Sequence, residues 1–108
     1  MSSYLLIVSR DPCTHVSATR SYELAAALAR EGCPVALFLI QNGVLPARPS
    51  LGSAELSELA GCGVRVLADD FSLRERGIEE SALAPGVEAA PIDFVIEALE
   101  AGAKVVWH

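Results

Sequence analysis

Cys13 stands two residues before His15 and directly ahead of a stretch with helical periodicity. A helix N-terminus and a neighbouring imidazolium both favour a thiolate, so Cys13 is the one cysteine with a route to reactivity and the candidate catalytic residue. The plainer reading carries more weight: a loop thiol without a partner, beside a surface histidine, since no motif surrounds either residue. Cys33 precedes Pro34 at a strand start, and Cys62 lies between Gly61 and Gly63 at a helix end; both positions suit a small buried hydrophobe. Three cysteines without C-x-x-C or metal-type spacing imply no disulfide framework and a reducing compartment.

Asp69 and Asp70 form the second chemical group, with Ser72, Arg74 and Arg76 just beyond. Paired carboxylates could do acid–base work or hold a metal. One of them capping a short helix at Ser72 explains the pair more simply, and with no second acidic or histidine ligand cluster visible in the sequence no metal is expected. Arg74 and Arg76 could anchor an anion or a partner's carboxylate, although surface ion pairs with Glu75, Glu79 or Glu80 account for them equally well. The loop from Ser9 to Ser17 contains no glycine, which rules out a G-x-G-x-x-G turn or a Walker A cradle there. No cofactor is expected, and the lack of a G-x-S-x-G context disfavours a hydrolase.

The elements that must position these residues follow from hydrophobic patterning. Tyr4 to Val8 is a continuous apolar run, stopped where Pro12 withholds an amide, and Val35 to Ile40 is the most hydrophobic stretch; both read as strands buried on two faces. Between them, Val16 to Arg30 carries Ala18, Tyr22, Ala25 and Ala29, with Leu24 and Leu28 alongside, at helical spacing, and Gly32 supplies a stop. Asn42-Gly43 makes a turn, Leu45 to Gly52 a loop, and Ser53 caps a short helix that turns Leu56 and Leu59 inward. Val64 to Ala68 is a third strand with Asp69-Asp70 just past its end, where α/β proteins place binding sites, and a helical turn from Ser72 to Arg76 follows. Val87 to Ala89 forms a brief fourth strand, Pro91 opens a helix whose Ile92, Val95, Ile96 and Leu99 share one face, and Ala103 to Trp107 is the last strand.

Alternating strands and helices predict one α/β domain over residues 1–108. Its architecture is a mostly parallel five-stranded sheet with right-handed crossovers and helices on both faces. Hydrophobic residues make up 52% of the chain and mean hydropathy is +0.39, which suggests strands buried on both faces or a subunit interface, and an oligomer is expected. No apolar run approaches the roughly 18 residues of a membrane-spanning helix, so no membrane association is expected. Met1-Ser2-Ser3-Tyr4 lacks the features of a signal peptide, so a cytoplasmic location is expected. A net charge of −6, with scattered basic residues, argues against nucleic acid.

Two segments carry a family resemblance. Gly63 to Ile78 resembles the strand-turn-helix of DsrE-like sulfur-relay proteins, which often reads Gly-Val, a Cys-x-x-Cys or single Cys, Leu, a basic residue, any residue, Arg, Gly and an aliphatic. Leu73, Arg74, Arg76, Gly77 and Ile78 fall in place. Ala98 to Trp107 is similar to the helix and strand that close these domains, and Phe38 to Val44 resembles the second strand and its Asn-Gly-Val turn. The resemblance covers nearly the whole chain in order and implies a DsrE-like fold with flavodoxin-like layering. Members that carry persulfide sulfur, such as the TusD-like subunit of the tRNA-thiolation relay, use a cysteine at the end of the third strand; here the corresponding positions are Asp69 and Ser72. Other members lack that cysteine and act as companion subunits in hexameric rings. The resemblance therefore implies an accessory homo- or hetero-oligomeric subunit, with a sulfur-carrier protein as a possible partner. Its strand-end pocket, built from Cys13, His15, Asn42, Asp69, Ser72 and Arg74, would bind a partner or small ligand. Two alternatives stand beside it: a sulfurtransferase using Cys13 as persulfide carrier, and a small-ligand sensor.

Overall fold

Apolar pentapeptides and tetrapeptides, each too short to persist alone, pair into a single sheet whose cover comes from the intervening helices. The structure is a computed structural model and describes residues 2–12, 15–49 and 53–107. The strands are β1 (Tyr4–Val8), β2 (Val35–Leu39), β3 (Arg65–Asp69), β4 (Val87–Ala90) and β5 (Lys104–Trp107), and the helices are α1 (Val16–Arg30), α2 (Ala54–Gly61), α3 (Asp70–Glu75) and α4 (Asp93–Glu100). All neighbouring strands are parallel, in the order β4-β3-β2-β1-β5. Leu6 sits opposite Leu37, Leu37 opposite Val66, and Val66 opposite Val87. The expected parallel five-stranded sheet with helices on both faces is what forms.

Alternation along the strands divides the core in two. Leu6, Val8, Leu37, Leu39, Val66 and Ala68 meet Ala18, Tyr22 and Ala25 of α1, Leu56 and Leu59 of α2, and Leu73 of α3. On the opposite face Leu5, Ile7, Phe38, Ile40 and Leu67 lie beneath Phe94, Val95 and Ala98 of α4.

Several boundaries differ from the sequence reading for local reasons. The expected loop after β2 is instead a 3-10 helix, Gln41–Ala47, because Val44, Pro46 and Ala47 are buried and draw the segment onto the core. Residues 50–52 lie outside the described residues. β3 starts at Arg65 and includes Asp69, and α3 starts at Asp70, because Asp69 itself caps that helix by accepting from the Ser72 amide. Ser53 occupies the N-cap of α2 with helical backbone and makes no side-chain cap bond. The stripe Ile92, Ile96 and Leu99, read as core-facing with Val95, is exposed; Phe94 and Ala98 turn inward with Val95 instead. The apolar arc of α4 is wider than the sheet uses, and an aromatic ring stacked on Phe38 selects which part of it faces in.

Candidate functional site

Ligands of open parallel α/β sheets bind outside the carboxyl ends of the strands, where successive loops diverge. Here the ends of β2, β3 and β4 frame a cleft of about 400 Å³. Ile40 and Gln41 follow β2, Asp69, Asp70, Phe71, Ser72 and Glu75 come from the end of β3 and α3, and Pro91 and Ile92 follow β4.

A polar clasp fixes the floor. Ser72 Oγ accepts from the Gln41 amide at 2.9 Å and donates to Asp69 Oδ2 at 2.7 Å; the same carboxylate oxygen accepts from the Ser72 amide at 3.1 Å. Asp69 and Ser72 are both buried, so these bonds replace the water each would otherwise hold. The clasp ties the segment after β2 to the start of α3. It also occupies the Ser72 hydroxyl in both directions, so that group is a structural link and not a ready nucleophile.

The backbone after β2 is held in an uncommon conformation. Gln41 has φ 51°, the left-handed region, which costs a non-glycine residue roughly 1 kcal/mol or more. Two residues on, Gly43 donates to the Ile40 carbonyl at 2.8 Å and passes so close to β1 that a Cβ would overlap the Val8 carbonyl. Only glycine allows that approach, and the tight turn it permits places the Gln41 amide over Ser72.

A second set of bonds lies on the rim. Arg76 donates from Nε and Nη2 to Asn42 Oδ1 at 3.2 and 3.1 Å and from Nη1 to the Ser72 carbonyl at 3.3 Å, with Glu75 3.6 Å away. Arg74 pairs with Asp70 at 3.9 Å, and its side chain is largely exposed, so the pair contributes little to stability.

Of the residues singled out from sequence, Asp69, Asp70 and Ser72 line the cleft. Asn42 instead faces Arg76 on the rim, Arg74 is engaged outside the lining, and His15 is exposed at the N-cap of α1, also outside it. Cys13 lies outside the described residues. Cys33 is half-buried, and Cys62 is exposed at the C-cap of α2, which corrects the expectation of a buried thiol: its helix ends at the surface. Asp69 and Asp70 do not act as a pair, since one caps α3 and the other meets Arg74. Gln41 and Phe71 escaped the sequence reading, and Glu75 and Ile92, read as an ion-pair partner and a core residue, line the cleft instead; the rule that each strand end contributes its next residues could have pointed to Gln41 and Ile92.

The lining combines three carboxylates, Asp69, Asp70 and Glu75, with the apolar Ile40, Phe71, Pro91 and Ile92, and contains no lysine or arginine. Such a surface favours a neutral or cationic group carrying an apolar portion and disfavours an anion. Among the described residues no group of three His, Cys, Asp or Glu side chains is placed to hold a metal ion, and no helix is long and apolar enough to cross a membrane.

Solved structures share this architecture from end to end. The ychN protein from E. coli superimposes with a TM-score of 0.85 at 23% identity, covering 98% of this chain and 99% of that chain. MTH1491, a protein of unknown function from Methanobacterium thermoautotrophicum, gives a TM-score of 0.82 at 23% identity with 100% of both chains covered. BT1422, a conserved protein of unknown function from Bacteroides thetaiotaomicron, gives 0.76 at 16% identity, covering 98% of this chain and 95% of that chain. No curated protein matches by sequence. A model of the DsrE/DsrF-like family matches residues 2–107, and with the strand order and the strand-end cleft already in place, the chain belongs to the DsrE/DsrF-like family.

Proposed function

We propose that this chain is an accessory member of its sulfur-relay family, a cytoplasmic oligomeric subunit that binds a partner or small ligand at the strand-end cleft and carries no sulfur there. The observation that carries the reading is the Asp69–Ser72–Gln41 clasp, which stands where the family resemblance would put a cysteine. A carboxylate cannot accept a sulfane sulfur, and Ser72 has its hydroxyl committed to the clasp. A persulfide anion approaching the cleft would also meet Asp69, Asp70 and Glu75. The same acids suit a neutral or basic segment of a sulfur-carrier protein.

Intact-mass measurement after incubation with a persulfide donor tests this, with Cys13→Ser, Cys33→Ser and Cys62→Ser alongside. The expected result is no stable gain of one sulfur atom that depends on a single cysteine. A gain abolished only by Cys13→Ser would overturn the reading and make the chain a sulfurtransferase. In a companion titration with a sulfur-carrier protein, a Glu75→Gln variant is expected to weaken binding several-fold.

A further inference from the structure

Arg65 opens β3 on the face of the sheet that α4 covers. It lies opposite Ala36 of β2, and Ala36 lies opposite Leu5 of β1, which packs in the α4 layer. The middle of that cross-strand row is therefore a small side chain. The end of α4 and the turn into β5 supply Ala98, Ala101 and Ala103, which are equally small. With so little side-chain volume from sheet and helix, a cleft of about 360 Å³ is left at the amino ends of β1 and β2.

Arg65 is the only charged side chain in the lining, which is otherwise mostly apolar and includes Phe94. Its guanidinium lies over the Phe94 ring, 5.1 Å from the centroid, and that ring stacks on the fully buried Phe38 at 6.0 Å. The ring contact holds the cation at the cleft without giving its N–H donors an oxygen. Among the described residues Arg65 makes no hydrogen bond and no ion pair. Glu88, on the same face of β4 opposite Leu67, does not reach it. An arginine fixed in place with its donor fork unengaged matches a carboxylate in both charge and bidentate geometry.

We propose that this amino-end cleft binds a small apolar carboxylic acid as its anion, with the carboxylate on Arg65 and the hydrocarbon body against Leu5, Ala36 and Phe94. Its volume lies at the lower end of small-ligand sites, about 300–1,000 Å³, which suits a two-ring aromatic or medium-chain aliphatic acid. The strand-end cleft disfavours such an anion, because Asp69, Asp70 and Glu75 line it and no cation does. In a chain of net charge −6, the two clefts thus select opposite charges at opposite ends of the strands. The site does not rest on the proposed function, which concerns the carboxyl ends of the strands.

Titration of the full chain with naphthoate, followed by calorimetry and by amide NMR shifts, tests the site. The expected Kd is about 0.1–1 mM, the range for a ligand of this size at ordinary efficiency. Shifts are expected to centre on Leu5, Ala36 and Arg65 and not on Gln41 and Ser72. The uncharged analogue naphthalenemethanol should bind about tenfold more weakly, since it lacks the charge-assisted bonds. Arg65→Gln is expected to weaken naphthoate about tenfold and to leave the alcohol unchanged, a split that a merely structural role for Arg65 would not produce. Because Arg65 is exposed, the variant is expected to stay folded, as its circular dichroism will report. Arg65→Lys keeps the charge and loses the fork, so its affinity for naphthoate should fall between those of wild type and Arg65→Gln. Absence of saturable naphthoate binding at millimolar concentration overturns the proposal. So do shifts centred on the strand-end cleft, or equal losses of acid and alcohol in Arg65→Gln.

Discussion

Neighbouring residues of one strand meet very different surroundings. Leu6 and Leu37 point into the layer closed by α1, α2 and α3, whereas Leu5 and Phe38, one residue along, point to the layer that α4 alone covers. All four are essentially inaccessible, so burial by itself does not separate the two layers. What separates them is the wall behind. Leu6 is enclosed, while Leu5 borders a cleft of about 360 Å³ at the amino ends of β1 and β2, lined also by Ala36, Arg65, Phe94 and Ala98. The difference teaches that the apolar surplus of this chain is not evenly spent on its own core: one layer is finished within the chain, and the other ends in a helix with unused apolar surface.

The largest expected effect tests that difference directly. Leu6→Ala opens a cavity among side chains held by three helices and should cost near the top of the range for such truncations, about 4 kcal/mol. Leu5→Ala enlarges a cleft that already exists and into which α4 can settle, so about 2–3 kcal/mol is expected. Urea unfolding of both variants, at one protein concentration, reads the difference as a shift in midpoint with unchanged slope. Equal losses would break the comparison and show the α4 layer to be as rigidly walled as the other.

The sealed layer was the legible one. Continuous apolar runs at Tyr4–Val8 and Val35–Ile40 and the helical spacing over Val16–Arg30 reveal strands and crossover because burial on two faces leaves an unbroken hydrophobic signal. The α4 layer was less so: Ile92, Ile96 and Leu99 have the spacing of a core stripe, and nothing in periodicity says that Phe94 and Ala98 will take the sheet in their place. At the cleft, the capping role of Asp69 follows from residue types alone, since an acid three residues before a helical amide is a local pattern. The link from Ser72 to Gln41 spans 31 positions and depends on Gly43 fitting against Val8, a contact that no local pattern encodes.

That link supplies the next prediction. At the strand ends the polar clasp joins the segment after β2 to the start of α3 beside the open cleft, so Ser72→Ala should be felt there. It orphans the Gln41 amide and removes one donor from a buried carboxylate, with an expected loss of about 1–3 kcal/mol. Asp69→Asn keeps a capping oxygen for the Ser72 amide and should cost less than Ser72→Ala. Thermal melts give the order, and hydrogen exchange at the Gln41 amide should rise in Ser72→Ala before global unfolding. A neutral Ser72→Ala would mean that apolar packing fixes both sides alike.

The smallest effect asks how α4 is held where its packing is thinnest. Arg65 is exposed on β3 with its guanidinium over the Phe94 ring, and that ring stacks against Phe38 with only 4° between planes. A cation over an aromatic face at an exposed site is worth about 0.5–1 kcal/mol, so Arg65→Gln should lower stability by that amount. The loss could equally come from stem packing, and the two causes part in a double-mutant cycle. With Phe94→Leu as background the ring quadrupole is gone while an apolar contact remains, and Arg65→Gln should then cost nothing measurable. An unchanged cost in that background would assign the contact to the arginine stem. α4 would then be held on the sheet by hydrophobic contact alone, as the helices of the sealed layer are, and this contrast between the two faces would disappear.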